Sequence, residues 1–142
     1  MLEKTLALVK PNGVEENHVG EILDDYEKAG LKILALKMIK VNKEFARQHY
    51  IDLKDKPFYQ ELVDFISRSP CVAMILEGED AVNTVRRVNG ATDPAEAEEG
   101  TIRYKYGGGK TDNTVHGSDS VEHAKREVSM WFPEFLDSYL DD

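Results

Sequence analysis

Two periods of apolar spacing alternate along this chain, and the switches between them outline its elements. "LALVKP" at 6–11 reads as a first strand, stopped by Pro11, Asn12 and Gly13. From Val19 the period lengthens. Val19, Ile22, Leu23 and Tyr26 recur at helical spacing, with Asn17 placed to cap the start and Gly30 just past the end. Leu34, Leu36 and Met38 return to period two, which predicts a strand over 31–41. A helix is expected from Asn42 towards Tyr50, and another over roughly 60–68, before Ser69 and Pro70. "CVAMIL" at 71–76 is a continuous apolar run, the pattern of a strand covered on both faces. Asp80 stands as the cap of a helix that ends at Gly90, and 91–114 carries turn signals without any period, as a long loop would. Val115 and His116 close a short last strand. Val121, Ala124, Val128 and Trp131 share one face of a final helix, capped by Asp119 or Ser120.

That order of strands and helices predicts an α+β fold, a ferredoxin-like split βαβ sandwich: a four-stranded antiparallel sheet covered by helices. At 142 residues the chain is expected to form one domain, 1–142, able to bury a single sizeable core. Charge narrows the partners. A net −9 argues against nucleic acid and anionic membrane, whose phosphates select basic surfaces, but leaves room for a small phosphorylated ligand held by a few local cations. Apolar runs are too short for a membrane span, and the single Cys71 reads as a buried thiol in a reducing cytoplasm.

The candidate chemistry lies in "NTVHGSDS", 113–120. His116 is expected just outside a helix N-terminus, where backbone N–H groups welcome anions. Two readings stand side by side: a capping turn uses the same small polar residues, whereas a neutral imidazole could also attack a terminal phosphorus and hold the phosphoryl group. Lys10, Arg86 and Arg103 could supply the positive charge that phosphoryl transfer needs. "GGGKTD" at 107–112 mimics the end of a phosphate-binding loop. It fails as one, because Tyr104 occupies the place of the motif's first glycine and no helix starts at Thr111; a flexible glycine hinge is the better reading. His18, His49 and His123 are expected to be surface or satisfied histidines.

"NTVHGSDS" closely resembles the active-site signature of the nucleoside diphosphate kinases. The likeness covers essentially the whole chain, through "LVKPNGV" near the start, "HYIDLKDKPFY" at 49–59 and "NGATDPAEAEEGTIR" at 89–103. The resemblance implies a kinase that moves the γ-phosphoryl group of ATP or another nucleoside triphosphate to a nucleoside diphosphate, by a ping-pong route through phosphorylated His116. It implies that Lys10 and Tyr50 orient the terminal phosphate, that Arg86, Thr92 and Arg103 hold the phosphates, and that Asn113 with Lys10 binds the sugar hydroxyls. Phe58 would stack on the base. Glu127 would fix the His116 tautomer, with Ser118 completing that network. Mg2+ would arrive on the nucleotide phosphates, and the family's members are homo-oligomers, here a tetramer or hexamer.

Three departures stand out. Asn12 occupies a position where aspartate is usual, a change expected to matter little. Lys110 falls where an aliphatic residue often covers the base, so either its stem does that work or "GGGK" is a hinge. The chain also ends early, at "DSYLDD". Two other classes compete with the enzyme. A regulatory nucleotide-binding module would have little reason to keep His116, Lys10, Tyr50, Asn113 and Glu127 together, and a DNA-binding role is disfavoured by the acidic composition.

Overall fold

The protein is described here by a computed structural model covering residues 2–135. Four strands, β1 (Leu2–Val9), β2 (Lys32–Ile39), β3 (Cys71–Glu79) and β4 (Val115–Gly117), form one antiparallel sheet in the order β2-β3-β1-β4. This is the ferredoxin-like α+β arrangement that the periodicity predicts. β1 and β3 occupy the middle and pair over eight residues, from Leu2 opposite Glu79 to Val9 opposite Val72. Helices cover both faces, so neither central strand can alternate apolar with polar. Leu6 and Leu8 face a core shared with α3 (Lys43–His49), α4 (Tyr59–Ile66) and α7 (Val121–Trp131). Ala7 and Val9 face the opposite core, under α2 (Val19–Lys28), α5 (Ala81–Asn89) and α6 (Ile102–Tyr106). The continuous run "CVAMIL" is buried at every position.

Some boundaries differ from the sequence reading, each for a local reason. β1 starts at Leu2, because pairing with β3 carries the strand through its polar first residues. Pro11 does not stop the chain but opens a short helix, α1 (Pro11–Glu15); proline suits a first helical position, where its missing N–H costs nothing. Asn17 has positive φ and lies outside α2, whose cap position belongs to His18. Asp80 also takes the left-handed region, and its carboxylate accepts from Asn83 instead of capping α5. The expected caps at Asn42 and Ser120 are made: each side chain accepts from the backbone N–H three residues on. Residues 91–114 hold a 3₁₀ turn (Pro94–Glu96) and α6, elements too short to show a period. Val121 begins α7 but stands exposed, apart from the apolar face of Ala124, Val128 and Trp131. Cys71 is buried with its thiol pushed up to about 12 by desolvation, as befits a packing residue. The tail "DSYLDD" lies outside the described residues.

One buried polar bond ties two helices of the same layer. The Tyr26 hydroxyl on α2 donates to Asn89 Oδ1 at the end of α5, 2.6 Å away. Tyr26→Phe is expected to lower the unfolding free energy by about 1–3 kcal/mol, because Asn89 then keeps a buried acceptor without a donor. Urea titration of the two proteins checks this; equal midpoints would deny that the bond contributes.

Candidate active site

Just beyond the end of β1 opens a cavity of about 1230 Å³, lined by Lys10 after that strand and by His116 and Gly117 of β4. Lys10 follows β1 directly and is itself buried, with its ammonium donating to Asn113 Oδ1 at 2.8 Å. Asn113 stays in place by donating in turn to the backbone carbonyls of Thr92 and Lys110. Arg103 reaches in from α6 and donates to three backbone carbonyls, those of Gly90, Asn113 and Val115. Five N–H donors on a guanidinium leave two uncommitted there. No salt bridge neutralises Lys10 among the described residues, and burial, with the Arg103 charge beside it, pushes its amine down to about 7. A cation kept so unfavourably is a standing invitation to an anion.

His116 sits on β4, opposite Leu8 of β1, with its ring lining the cavity. Its Nε2 lies 2.8 Å from Glu127 Oε1 on α7, and the Ser118 hydroxyl donates to the same oxygen at 2.7 Å. Burial alone would raise the Glu127 carboxyl, but the hydrogen bond and charge of His116, with His49 and Ser118 adding, bring it down to about 2. The carboxylate is therefore anionic and accepts, so Nε2 carries the proton of this bond, and a neutral ring would keep its lone pair on Nδ1. Gly117 lets β4 come this close to α5: a Cβ there would meet Val85 Cγ1 at 2.7 Å. Just before β4, Thr114 holds φ at 76°, a strained value for a β-branched residue. Its hydroxyl donates to the Tyr106 carbonyl and accepts from the Asn12 side-chain amide, while its own carbonyl accepts from Lys10 N.

The remaining candidates line the same cavity. Tyr50 presents a hydroxyl with no hydrogen-bond partner among the described residues, and burial raises its phenol. Phe58, before α4, is 43% exposed on the opposite wall, and Arg86 and Thr92 stand exposed at the side. Ser118 alone lies behind the lining and acts through Glu127. Two sequence expectations change. Asn12 matters: its buried amide donates to Asp112 O and Thr114 Oγ1, which an aspartate could not do. "GGGK" is a bonded turn, since Gly108 N and Gly109 N donate to Asp112 and the Thr111 hydroxyl donates to Glu61 on α4. Lys110 itself is exposed on that wall. His18 stacks on Tyr106, and His123 pairs with Asp119, as ordinary satisfied histidines do. His49 is another matter: it packs edge-on against His116, a placement for which the sequence offers no signal beyond its adjacency to Tyr50.

A ferredoxin-like sheet whose strand ends hold a carboxylate-oriented histidine beside buried cations defines a phosphoryl-transfer type of protein. The family model for nucleoside diphosphate kinase matches residues 3–136. A Clostridium perfringens nucleoside diphosphate kinase is 54% identical over 133 residues, 94% of this chain and 93% of that protein. A Zea mays nucleoside diphosphate kinase 1 is 46% identical, covering 94% and 89%. The crystal structure of the Aquifex aeolicus nucleoside diphosphate kinase superposes with a TM-score of 0.91 at 42% identity, covering 93% of this chain and 96% of that one. The chain belongs to the nucleoside diphosphate kinase family and is an enzyme of nucleotide phosphotransfer.

Lys10 generates a testable trade-off. Its folded pKa lies below its unfolded value, so between about 7 and 10.5 the unfolded chain binds more protons and stability rises with pH. Below 7 the cost of the buried charge is complete. Lys10→Met is expected to gain about 1–3 kcal/mol of stability at neutral pH, to lose that rise, and to bind nucleotide more weakly. Urea unfolding at pH 6, 8 and 10 reads the first two effects. A variant less stable than the parent at every pH would contradict them.

Proposed function

We propose that the protein transfers the γ-phosphoryl group of ATP, or of another nucleoside triphosphate, to a nucleoside diphosphate through a phosphohistidine at His116, and so maintains the NTP and dNTP pools. The observation that carries this reading is the 2.8 Å bond between His116 Nε2 and Glu127 Oε1, which supports Nδ1 as the nucleophile of a ring lining the cavity. In the first half-reaction the Nδ1 lone pair forms a P–N bond as the bond from the γ-phosphorus to its bridging oxygen breaks. The nucleoside diphosphate leaves with that electron pair. In the second, a terminal oxygen of the acceptor diphosphate forms the new P–O bond as P–N breaks. Glu127 holds the Nε2 proton throughout and balances the positive charge that builds on the ring.

The other residues position and neutralise. Lys10 and the Tyr50 hydroxyl, which has no hydrogen-bond partner among the described residues, meet the terminal phosphate, and Arg86, Thr92 and Arg103 meet the rest of the phosphate chain. Asn113 and Lys10 take the sugar hydroxyls, and Phe58 offers its ring to the base. Mg2+ would arrive bound to those phosphates, as part of the substrate. The whole chain, 1–142, acts as one domain in this reading, in the cytoplasm. No helix among the described residues is long and apolar enough to cross a membrane. A homo-oligomer, tetramer or hexamer, completes the proposal; Leu36 and Met38 stand 49% and 62% exposed on the edge strand β2, apolar surface that a second copy could cover.

Incubation with ATP labelled on its γ-phosphorus, without acceptor, tests the mechanism. Wild type should hold an acid-labile, alkali-stable label, and His116→Ala should hold none while still binding nucleotide. Substantial turnover by that variant would end the phosphohistidine reading. Stacking on Phe58 reads no hydrogen-bond pattern, so ATP, GTP, CTP and UTP should all serve as donors. Phe58→Ala should weaken all four by about 1–3 kcal/mol in apparent affinity. Steady-state kinetics decide it: acceptance of a single base would rule out stacking as the mode of base recognition.

A further inference from the structure

His49 is a buried titratable group that the chemistry above does not use. It ends α3, and its Nδ1 accepts from the indole N–H of Trp131 at 3.0 Å. An indole N–H can only donate, so Nδ1 must present a lone pair, and Nε2 carries the proton. The tautomer is thus fixed from behind by a residue that is itself buried, edge-on against Phe45 at 4.8 Å. In front, the His49 ring meets the His116 ring edge to face, with centroids 4.8 Å apart and planes at 73°. Tyr50 packs on its flank at 4.7 Å. The charged and titratable groups facing it are His116, Glu127, Lys10, Arg126 and Tyr50. Burial, then His116, push the imidazole well below the ordinary histidine value; Glu127 pulls the other way and Lys10 and Arg126 add to the lowering.

The geometry asks for something besides Glu127. One hydrogen bond at Nε2 fixes a point on the His116 ring but not its plane, and an in-line attack by Nδ1 needs both. We propose that His49, held by Trp131 as the neutral Nε2–H tautomer, is a positioning residue whose ring edge sets the plane of the His116 imidazole for attack. His49 also lines the cavity, but in this role it acts through His116 and not on the transferred group. The inference rests on His116 being the phosphorylated nucleophile.

Two substitutions separate positioning from packing, because they move stability and rate in opposite directions. His49→Asn keeps an acceptor for the Trp131 N–H but has no ring. It should remain as stable as wild type, yet form the acid-labile label about ten- to a hundredfold more slowly, at an unchanged KM for ATP. His49→Phe restores a ring edge but strands the indole donor. It should be less stable than His49→Asn and nevertheless faster. Rates that follow stability, or a His49→Asn rate within about twofold of wild type, would overturn the proposal. A measurement on the wild type needs no variant: nitrogen NMR of labelled histidine should show His49 as the Nε2–H tautomer down to about pH 6, where an ordinary histidine is mostly charged. An Nδ1–H tautomer or an imidazolium there would overturn it as well. If the wild type forms no acid-labile label, the phosphohistidine reading fails and takes this inference with it. A wild type that labels while His49→Asn keeps pace defeats only the role of His49.

Discussion

The site depends on a buried amine that forms no salt bridge among the described residues. β1 and β3 are covered on both faces, so the residue that follows β1 emerges in the interior and not at the surface. That residue is Lys10, and among the described residues its ammonium donates to the neutral carbonyl oxygen of Asn113. A buried charge that is solvated by one amide costs stability, and the cost is relieved when a polyanion enters. Arg103 has the same character, since its bonds go to carbonyls and not to carboxylates. The chain spends folding free energy on two buried cations, while 27 acidic residues against 18 basic ones keep the molecule as a whole negative.

Beside these cations, His116 is held by a chain of hydrogen bonds and ring contacts. Ser118 fixes Glu127, Glu127 fixes the His116 proton, and on the other flank Trp131 fixes His49. Each link is a donor meeting an acceptor of defined tautomer or charge. The sheet contributes rigidity by pairing His116 with Leu8 on a central strand. A histidine on a free loop would need to be ordered at each turnover; here the ordering is completed when the protein folds.

How much of this was legible in the sequence follows from the range of the signals. The sheet was readable because "LALV" and "CVAMIL" are apolar without alternation, and because β2 and the longer helices repeat often enough to reveal a period. Pro11 and α6 were not, because a five-residue helix offers barely more than one turn. Caps at Asn42 and Ser120 act within three residues and could be read, whereas Asn17 and Asp80 have cap chemistry but a left-handed backbone that only tertiary packing imposes. The candidate site residues were named through a family signature, and the fold gathers them around one cavity. The contacts that join distant segments had no local trace. Trp131 meets His49 across 82 residues, Thr111 meets Glu61 across 50, and Asn12 meets Thr114 across 102.

Thr114 carries a mechanical consequence. Its hydroxyl is the shared pivot of Asn12 in α1 and the Tyr106 carbonyl at the end of α6, and its backbone carbonyl holds Lys10 N. Its unfavourable φ is kept by these attachments together with the Arg103 bonds to the carbonyls on either side, so the residue behaves as a loaded latch and not as a passive turn. Glycine would relax the backbone but discard the hydroxyl, and with it the joint between two walls of the cleft. Loosening either wall therefore slackens the hold on Thr114, the residue through which the peptide passes into His116.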